Sequence, residues 1–493
     1  MRNIFLGLLL IFTQPGFAKI ITYKAPPCNF ISKDYYLKVR EAGSPWQNVD
    51  IYHANVANVV DTKTIIKKTS FAYFDCSGTV EVNLTVNTGS IRSVKIRPLS
   101  LGIQPVIHGN NISFSISANQ YMSIEVNGDI FQNMQLFANP LETTRPSARD
   151  TNVIYYGPGI HQIGKMLIKS NKTVYIAGGA IVEGSFIVDH AKNVHIGGRG
   201  ILTQIESMPP TSTLNKTNKI RTGRNDQLIV SFSTNVDIDG IVFLPHKYTV
   251  LIGQSNQVKI SNIKSFSSEG NADGIDIFCS ADITLDHVFM RNSDDCIAIY
   301  GHRWNYYGNT KNVSVSNSLL WADVAHPILI GTHGDSQHPD TLSNMKFTGL
   351  EILDQHENQM DYQGCLSLNA GDSNTLRDIS FENINIEQIR KGQLFNVRIM
   401  FNKKYNTSPG SAIENILFKN ISYASQDPPL SLIAGYDEHR AVKNVVFENL
   451  QINGLIIADN MEGKPGFYKT GDMANIFIGE HVENIKFIKS PSK

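Results

Sequence analysis

A short phrase recurs through the second half of the chain: a polar residue, then apolar-x-apolar, then small or polar residues. It stands as Asn193-Val194-His195-Ile196, Asn235-Val236-Asp237-Ile238, Gln257-Val258-Lys259-Ile260 and Asp282-Ile283-Thr284-Leu285. Later copies are Asn312-Val313-Ser314-Val315, Asn344-Met345-Lys346-Phe347, Asp378-Ile379-Ser380-Phe381 and Asn415-Ile416-Leu417-Phe418. The last two are Asn444-Val445-Val446-Phe447 and Asn484-Ile485-Lys486-Phe487. From Val236 onward the apolar anchors lie roughly 22 to 40 residues apart, the range of solenoid coils with variable loops. Each phrase has period two, so each is a strand with one buried face. A single unit cannot bury that face alone. Stacking the units builds a continuous core and pairs each strand with the next coil. No amphipathic helices intervene, and the drifting period argues against a propeller, whose blades need four strands at near-constant spacing. The expectation for residues 150–493 is a right-handed parallel β-helix that carries the catalytic machinery.

The chain before residue 150 follows another pattern. Short alternating runs at Val80–Val86, Val94–Ile96, Ile112–Ile116 and Tyr121–Val126 are separated by turn signals such as Asn110-Asn111 and Asn127-Gly128. This predicts an antiparallel β-sandwich over residues 19–145, with Asn139 to Asp150 as a linker. The fold class is therefore all-β, a sandwich followed by a β-helix. Residues 1–18 read as an export signal: Arg2, a short apolar stretch from Ile4 to Phe12, and Gly16-Phe17-Ala18 at the cleavage positions. The mature protein is then secreted or periplasmic. No later run is long and apolar enough to span a bilayer. Lys+Arg 44 balances Asp+Glu 44, which gives no overall field for a nucleic acid or an anionic membrane. Among the cysteines, Cys28 and Cys76 lie close enough in sequence to pair in an oxidising compartment. Cys279, Cys296 and Cys365 sit among apolar residues and read as buried thiols.

Two neighbouring coils carry most of the chemistry: Asn271-Ala272-Asp273-Gly274-Ile275-Asp276-Ile277, and Asn292-Ser293-Asp294-Asp295-Cys296-Ile297-Ala298-Ile299. Aligning Ile275-x-Ile277 with Ile297-x-Ile299 stacks Asp273 on Asp295, one strand spacing apart. Strict alternation points Asp294 away from that pair and turns Asp273 and Asp295 inward unless the chain bends. Carboxyls so close cannot all ionise normally, so one holds a proton near neutral pH. An acid beside one or two bases is what glycosidic cleavage needs. An oxygen-rich calcium site and a ladder of Asx turns fit the same residues.

The run Asn-Ala-Asp-Gly-Ile-Asp followed by Ser-Asp-Asp-Cys-Ile-Ala-Ile resembles the signature of glycoside hydrolase family 28, the polygalacturonases. That family has an Asn-Thr-Asp-Gly motif and an Asp-Asp pair about one coil later. His326, in Ala325-His326-Pro327-Ile328-Leu329-Ile330-Gly331, matches the family histidine, although both flanking glycines are absent. Where the family's carboxylate-gripping Arg-Ile-Lys motif is expected, Gly364 to Asn369 carries no cation. That points to a neutral or unusual glycan. Tyr155-Tyr156-Gly157-Pro158-Gly159-Ile160 and Gly198-Arg199-Gly200-Ile201-Leu202 are similar to segments of family 49, the dextranases and isopullulanases, which place a sandwich before the β-helix. Both families belong to one clan of inverting enzymes. The resemblance implies that Asp294 is the general acid and that Asp273 and Asp295 activate water, with a carboxyl gap wide enough for that water.

Other residues are candidates for substrate contact. His326 either orients an acid or binds sugar. Trp304, after Gly301-His302, offers a ring for stacking, and Arg303 a cation for hydroxyls or an anionic group. Asp276, by parity, and Asn369, on a later coil, are placed facing the groove. The expected protein is a monomeric hydrolase of a polysaccharide or oligosaccharide with no cofactor and no metal. A β-helix polysaccharide lyase and a non-catalytic glycan-binding β-helix are the competing readings.

Overall fold

Each copy of the recurrent phrase forms a strand that pairs in parallel with the copies before and after it. In the computed structural model, which describes residues 19–61, 63–204, 226–425 and 428–490, Val236 lies on Val258, Val258 on Ile283 and Ile283 on Val313. These strands, Thr234–Asp239, Asn256–Ser261, Ala281–Asp286 and Thr310–Ser316, make one face of a right-handed parallel β-helix. A second face stacks Val242–Leu244, Lys264–Phe266, Phe289–Asn292 and Leu319–Ala322. A third stacks Val250–Gly253, Ile275–Phe278, Ile297–Tyr300, Ile328–Ile330, Leu366–Ala370 and Phe395–Ile399. The inward residues of all three faces form one buried core. Within it Phe347, Phe381, Phe418, Phe447 and Phe487 stack in a column with near-parallel rings 4.8 to 5.2 Å apart.

The polar residue that opens each phrase has a physical reason. Asn193, Asn235, Gln257, Asp282, Asn312, Asn344, Asp378, Asn415, Asn444 and Asn484 all have positive φ, between 55° and 58°. This left-handed turn is one that Asn and Asp tolerate better than other side chains bearing a Cβ. Their side chains also bond along the stack. Asn344 donates to Asn312 at 2.7 Å, Asn444 to Asn415 at 3.0 Å, and Asn484 to Asn444 at 2.7 Å. An Asx ladder therefore runs along this face, separate from the turns that carry Asp273, Asp294 and Asp295. Asn444→Ala removes two ladder bonds and strains the turn. It is expected to lower stability by about 1–2 kcal/mol. Asn444→Gly should recover the backbone part, because Gly tolerates that φ. Denaturant unfolding of the three chains checks the order.

The N-terminal region forms two packed sheets. Ile20–Ile21, Tyr52–Val60, Lys63–Cys76, Val94–Arg97, Gln120–Val126 and Met134–Pro140 make one, and Tyr35–Arg40, Gln47–Val49, Thr79–Val86, Val106–His108 and Asn111–Ser117 the other. Leu37, Val82, Leu84, Ile112, Phe74, Ile124 and Leu136 fill the space between them. Asn139 and Pro140, expected in the linker, finish a strand instead, with Asn139 buried against Asp75 at 3.2 Å. The six-stranded sheet lies on the second face of the β-helix through Tyr52, Phe71, Phe137, Phe266, Phe289 and Trp321. Buried polar groups fix the junction. Arg199 Nε reaches Asp75 at 2.9 Å, Arg97 Nε reaches Glu387 at 2.6 Å, and Arg291 Nη2 donates to the Ile130 carbonyl at 2.8 Å.

Cys28 and Cys76 do not pair; both are free thiols, and the Cys76 sulfur faces the Gly78 carbonyl at 3.8 Å. Cys279, Cys296 and Cys365 are buried, as expected. The export signal at residues 1–18 and most of the insertion 202–226 lie outside the described residues. Among the described residues no helix is long and apolar enough to cross a membrane.

Candidate active site

The turns from the second face to the third lie above one another along the β-helix, and one stretch of this column carries the acids. Ile275 pairs with Ile297 as the alignment of the two motifs required. Gly274 N donates to the Asp295 carbonyl at 2.8 Å, which sets Asp273 against Asp295. Cys296 N donates to the His326 carbonyl at 2.8 Å, which sets Asp295 against His326 on the next coil. Gly274 is needed at the crossing, because a Cβ there would sit 2.2 Å from the Cys296 carbonyl oxygen.

Asp294 does not point away from the other two acids. Asp273, Asp294 and Asp295 each place an oxygen within 4.8 Å of the others. Residues 293–296 form bends rather than extended strand, so side-chain alternation lapses there. Ser267 holds the bend: its hydroxyl accepts from Ser293 N at 3.0 Å and Asn292 Nδ2 at 3.0 Å. The nearest oxygens are also closer than the roughly 6.5–9.5 Å carboxyl separation usual in inverting glycosidases. The gap is tighter than the sequence led us to expect.

The cluster is electrically asymmetric. Burial, then the charges of Asp295 and Glu357, push the Asp294 carboxyl up to about 7, against an opposing pull from His326. Asp295 has the opposite environment. His326 Nδ1 lies 2.6 Å from Asp295 Oδ1, His326 N donates to the same oxygen at 3.2 Å, and Tyr300 Oη donates to Asp295 Oδ2 at 3.3 Å. His326 Nε2 faces the Tyr362 carbonyl at 2.6 Å. A carbonyl only accepts, so Nε2 carries a proton, and Nδ1 donates to Asp295 when the ring is charged. Burial by itself would lower the imidazole pKa. The Asp295 charge and hydrogen bond, the Glu357 charge and the Tyr362 carbonyl outweigh it and raise the ring to about 9. Near neutral pH the site therefore holds one carboxyl poised to give a proton beside a carboxylate paired with a cation.

The other candidates separate by depth. His326 is fully buried, with Asp295 on one ring nitrogen and the Tyr362 carbonyl on the other. Asp276, as parity predicted, and Asn369, on a later coil, point outward from the third face, yet both are fully buried. An aromatic layer including Tyr248, Phe278, Tyr300, Tyr306 and Tyr362 covers this face. Asn369 Nδ2 donates to the Asn396 carbonyl at 3.3 Å. Neither residue reaches the groove. Arg303 and Trp304 lie on the loop after Tyr300 and are half-buried. Trp304 packs edge-on against Phe278 at 5.4 Å, and the Arg303 guanidinium lies over the Trp304 ring at 5.0 Å. Arg303 also depresses His333, whose pKa burial and that cation lower to about 3; His333 stands edge-on to Tyr300 at 4.9 Å. Glu357 and Tyr362 escaped the sequence reading because both lie in the 354–376 insertion, outside the repeat. Gly364 to Asn369 carries no cation, and the next coil carries Arg398. Arg398 pairs in register with Asn369, and its Nη1 donates to the Asp361 carbonyl at 3.3 Å. Where the family motif has glycine before the histidine, Ala325 holds φ 67°.

A family model described as "Glycosyl hydrolases family 28" matches residues 172–463. The chain is 26% identical over 187 residues to "Probable endopolygalacturonase D" of Neosartorya fischeri, covering 37% of this chain and 36% of that protein. It is 23% identical over 190 residues to "Endopolygalacturonase B" of Aspergillus niger, covering 38% and 47%. The matched stretch is thus less than half of either relative. In three dimensions the chain is similar to "Dex49A from Penicillium minioluteum", with a TM-score of 0.58, 16% identity and coverage of 94% and 96% of the two chains. The similarity to Dex49A is one of fold and includes the N-terminal sandwich.

Proposed function

The chain belongs to family 28 of the glycosyl hydrolases and is a glycosidase; on that premise we propose that it is an exported, inverting hydrolase of α-linked polysaccharides or oligosaccharides. Asp294 is the general acid that protonates the leaving oxygen. Asp273 and Asp295 are the carboxylates that activate water. The observation that carries this reading is Asp294, pushed up to about 7, beside Asp295, which pairs with a charged His326. A carboxyl that keeps its proton near neutral pH is suited to be the acid. With so tight a cluster, the water belongs at the edge shared by Asp273 and Asp295, not in a wide slot between acid and base. Export rests on the signal at residues 1–18.

Polygalacturonan is the first substrate to test, since both relatives are named for it and Arg303 and Arg398 supply cations. Dextran is the second, from the resemblance of residues 155–160 and 198–202 to the dextranase family. New reducing ends are measured on both polymers and on pullulan, and the anomer of the fresh product is read by proton NMR. An α-linked substrate should give the β-anomer first. The α-anomer appearing first would remove inversion, and no release from any of the three would remove the substrate proposal.

The spacing of the three carboxylates also suits a cation. At neutral pH, however, one of the three holds a proton and an imidazolium adjoins the cluster, which weakens it as a calcium site. EDTA is expected to leave the hydrolysis rate unchanged. Loss with EDTA and recovery with Ca²⁺ would assign the cluster to a metal.

A further inference from the structure

The column of turns that holds the carboxylates continues toward the N-terminal end of the β-helix. There it opens into a cleft of about 560 Å³ walled on its other side by the sandwich. We propose that this cleft is a run of glycan subsites, continuous with the catalytic groove, that binds the part of the sugar chain on one side of the scissile bond. The inference rests on the reading of Asp273, Asp294 and Asp295 given above.

Three observations carry it. The first is register. Glu183 pairs with Thr203, Thr203 with Leu244, Phe243 with Ser265, and Phe266 with Arg291, the coil of Asp294. Glu183, Thr203, Leu244 and Phe266 all line the cleft. It therefore spans about three strand spacings, ~14 Å, and ends on the coil of Asp273, one coil short of Asp294 and Asp295. The second is a shared wall. Ser267 lines the end of the cleft, and its hydroxyl donates to the Ala272 carbonyl at 2.6 Å and accepts from Ser293 N at 3.0 Å. Ser293 Oγ donates to the Glu269 carbonyl at 2.6 Å. Ala272 and Ser293 immediately precede Asp273 and Asp294, so the floor of the cleft and the turn that aims the acids are one structure. The third is the lining. The sandwich contributes Phe30, His53 and Lys68, and the coils contribute Glu183, His246 and Glu269. An aromatic ring among separated donors and acceptors of both signs suits a chain of rings with apolar faces and hydroxyl edges. The volume falls within the range of small-molecule sites, roughly 300–1,000 Å³.

Cys28 supplies the test. It lines the cleft and is half-buried, whereas the other four cysteines are buried. In Asp294→Asn protein, iodoacetamide labelling of Cys28 is followed by mass spectrometry with hexamers and dimers of galacturonate and of α-1,6-linked glucose. The hexamer of the sugar that the wild type cuts should protect Cys28, and its dimer should not. In parallel, Lys68→Ala and Phe30→Ala should each lower kcat/KM on that hexamer by about tenfold. The loss should be specific to length: the ratio of hexamer to dimer kcat/KM falls about tenfold, a readout that a general loss of stability from removing Phe30 at the junction would not move. A cut hexamer that gives no protection, or variants that impair both lengths equally, would overturn the proposal. If the wild type cuts neither sugar, the hydrolase reading fails on its own. The cleft is then judged by labelling alone: protection by either hexamer supports it, and protection by neither overturns it.

Discussion

Asp294→Asn is expected to lower kcat on the order of 10²–10⁴-fold, the usual contribution of a positioned general acid, with a smaller change in KM. Asn is close in shape and cannot give up a proton at the leaving oxygen. The wild-type pH profile should carry the same residue's signature. The acid must be protonated, so activity falls as pH rises through about 7. It must also fall at low pH, as the water-activating carboxylates take up protons. In the Asn variant, stability should move the other way from activity. The folded carboxyl is raised above its ordinary value of 3.8, so ionising it opposes folding at neutral and alkaline pH. Asn has no charge to set against Asp295 and Glu357. The inactive variant should therefore melt no lower than wild type at pH 5, and higher at pH 8. A variant that keeps full kcat would remove Asp294 from the role. One that loses activity together with several degrees of Tm would show that it had been a structural residue.

The β-helix was legible because its repeat is local chemistry. An Asn or Asp tolerates the left-handed turn, and the two alternating apolar residues that follow supply a buried face, so both facts are written at every coil. Register was legible for the same reason: Ile275-x-Ile277 and Ile297-x-Ile299 are the same pattern one coil apart. Parity runs out at the edge of a strand and outside the barrel. At residues 293–296 the chain bends, which is why Asp294 joins Asp273 when alternation sent it elsewhere. Asp276 and Asn369 do point outward, but alternation says nothing about what covers the outer surface, and an aromatic layer buries both. Glu357 and Tyr362 come from an insertion with no period at all. Only the fold returns that insertion to the column of turns, and with it the carbonyl that fixes His326 and the charge that helps hold the proton on Asp294. The paired Asp-Asp motif thus marks where the carboxyls cluster, and the groups that tune them come from segments without a motif.

The second large effect is expected at His326. The ring is fully buried and bonded at both nitrogens, to Asp295 and to the Tyr362 carbonyl. Taking one partner from a buried ion pair leaves the other charge uncompensated. His326→Ala is therefore expected to cost about 3–5 kcal/mol in unfolding free energy. The pH dependence separates a lost charge from a lost volume. The wild-type ring titrates at about 9 in the folded protein, against an ordinary value of 6.5. A raised histidine contributes its full stability below pH 6.5, and that contribution is lost as pH rises from 6.5 to 9. The wild type should therefore lose more stability across that window than His326→Gln does. The same variant should disturb activity from the opposite side of the profile. Without the imidazolium, Asp294 loses the one charge that was pulling its pKa down, so the alkaline limb moves up. That limb shifting upward, in a folded variant with reduced kcat, is the signature of a residue that acts through the carboxylates. A unchanged profile with the same fall in kcat would mean that His326 only fills space. A raised KM at constant kcat would instead return it to the sugar-binding role its sequence position first suggested.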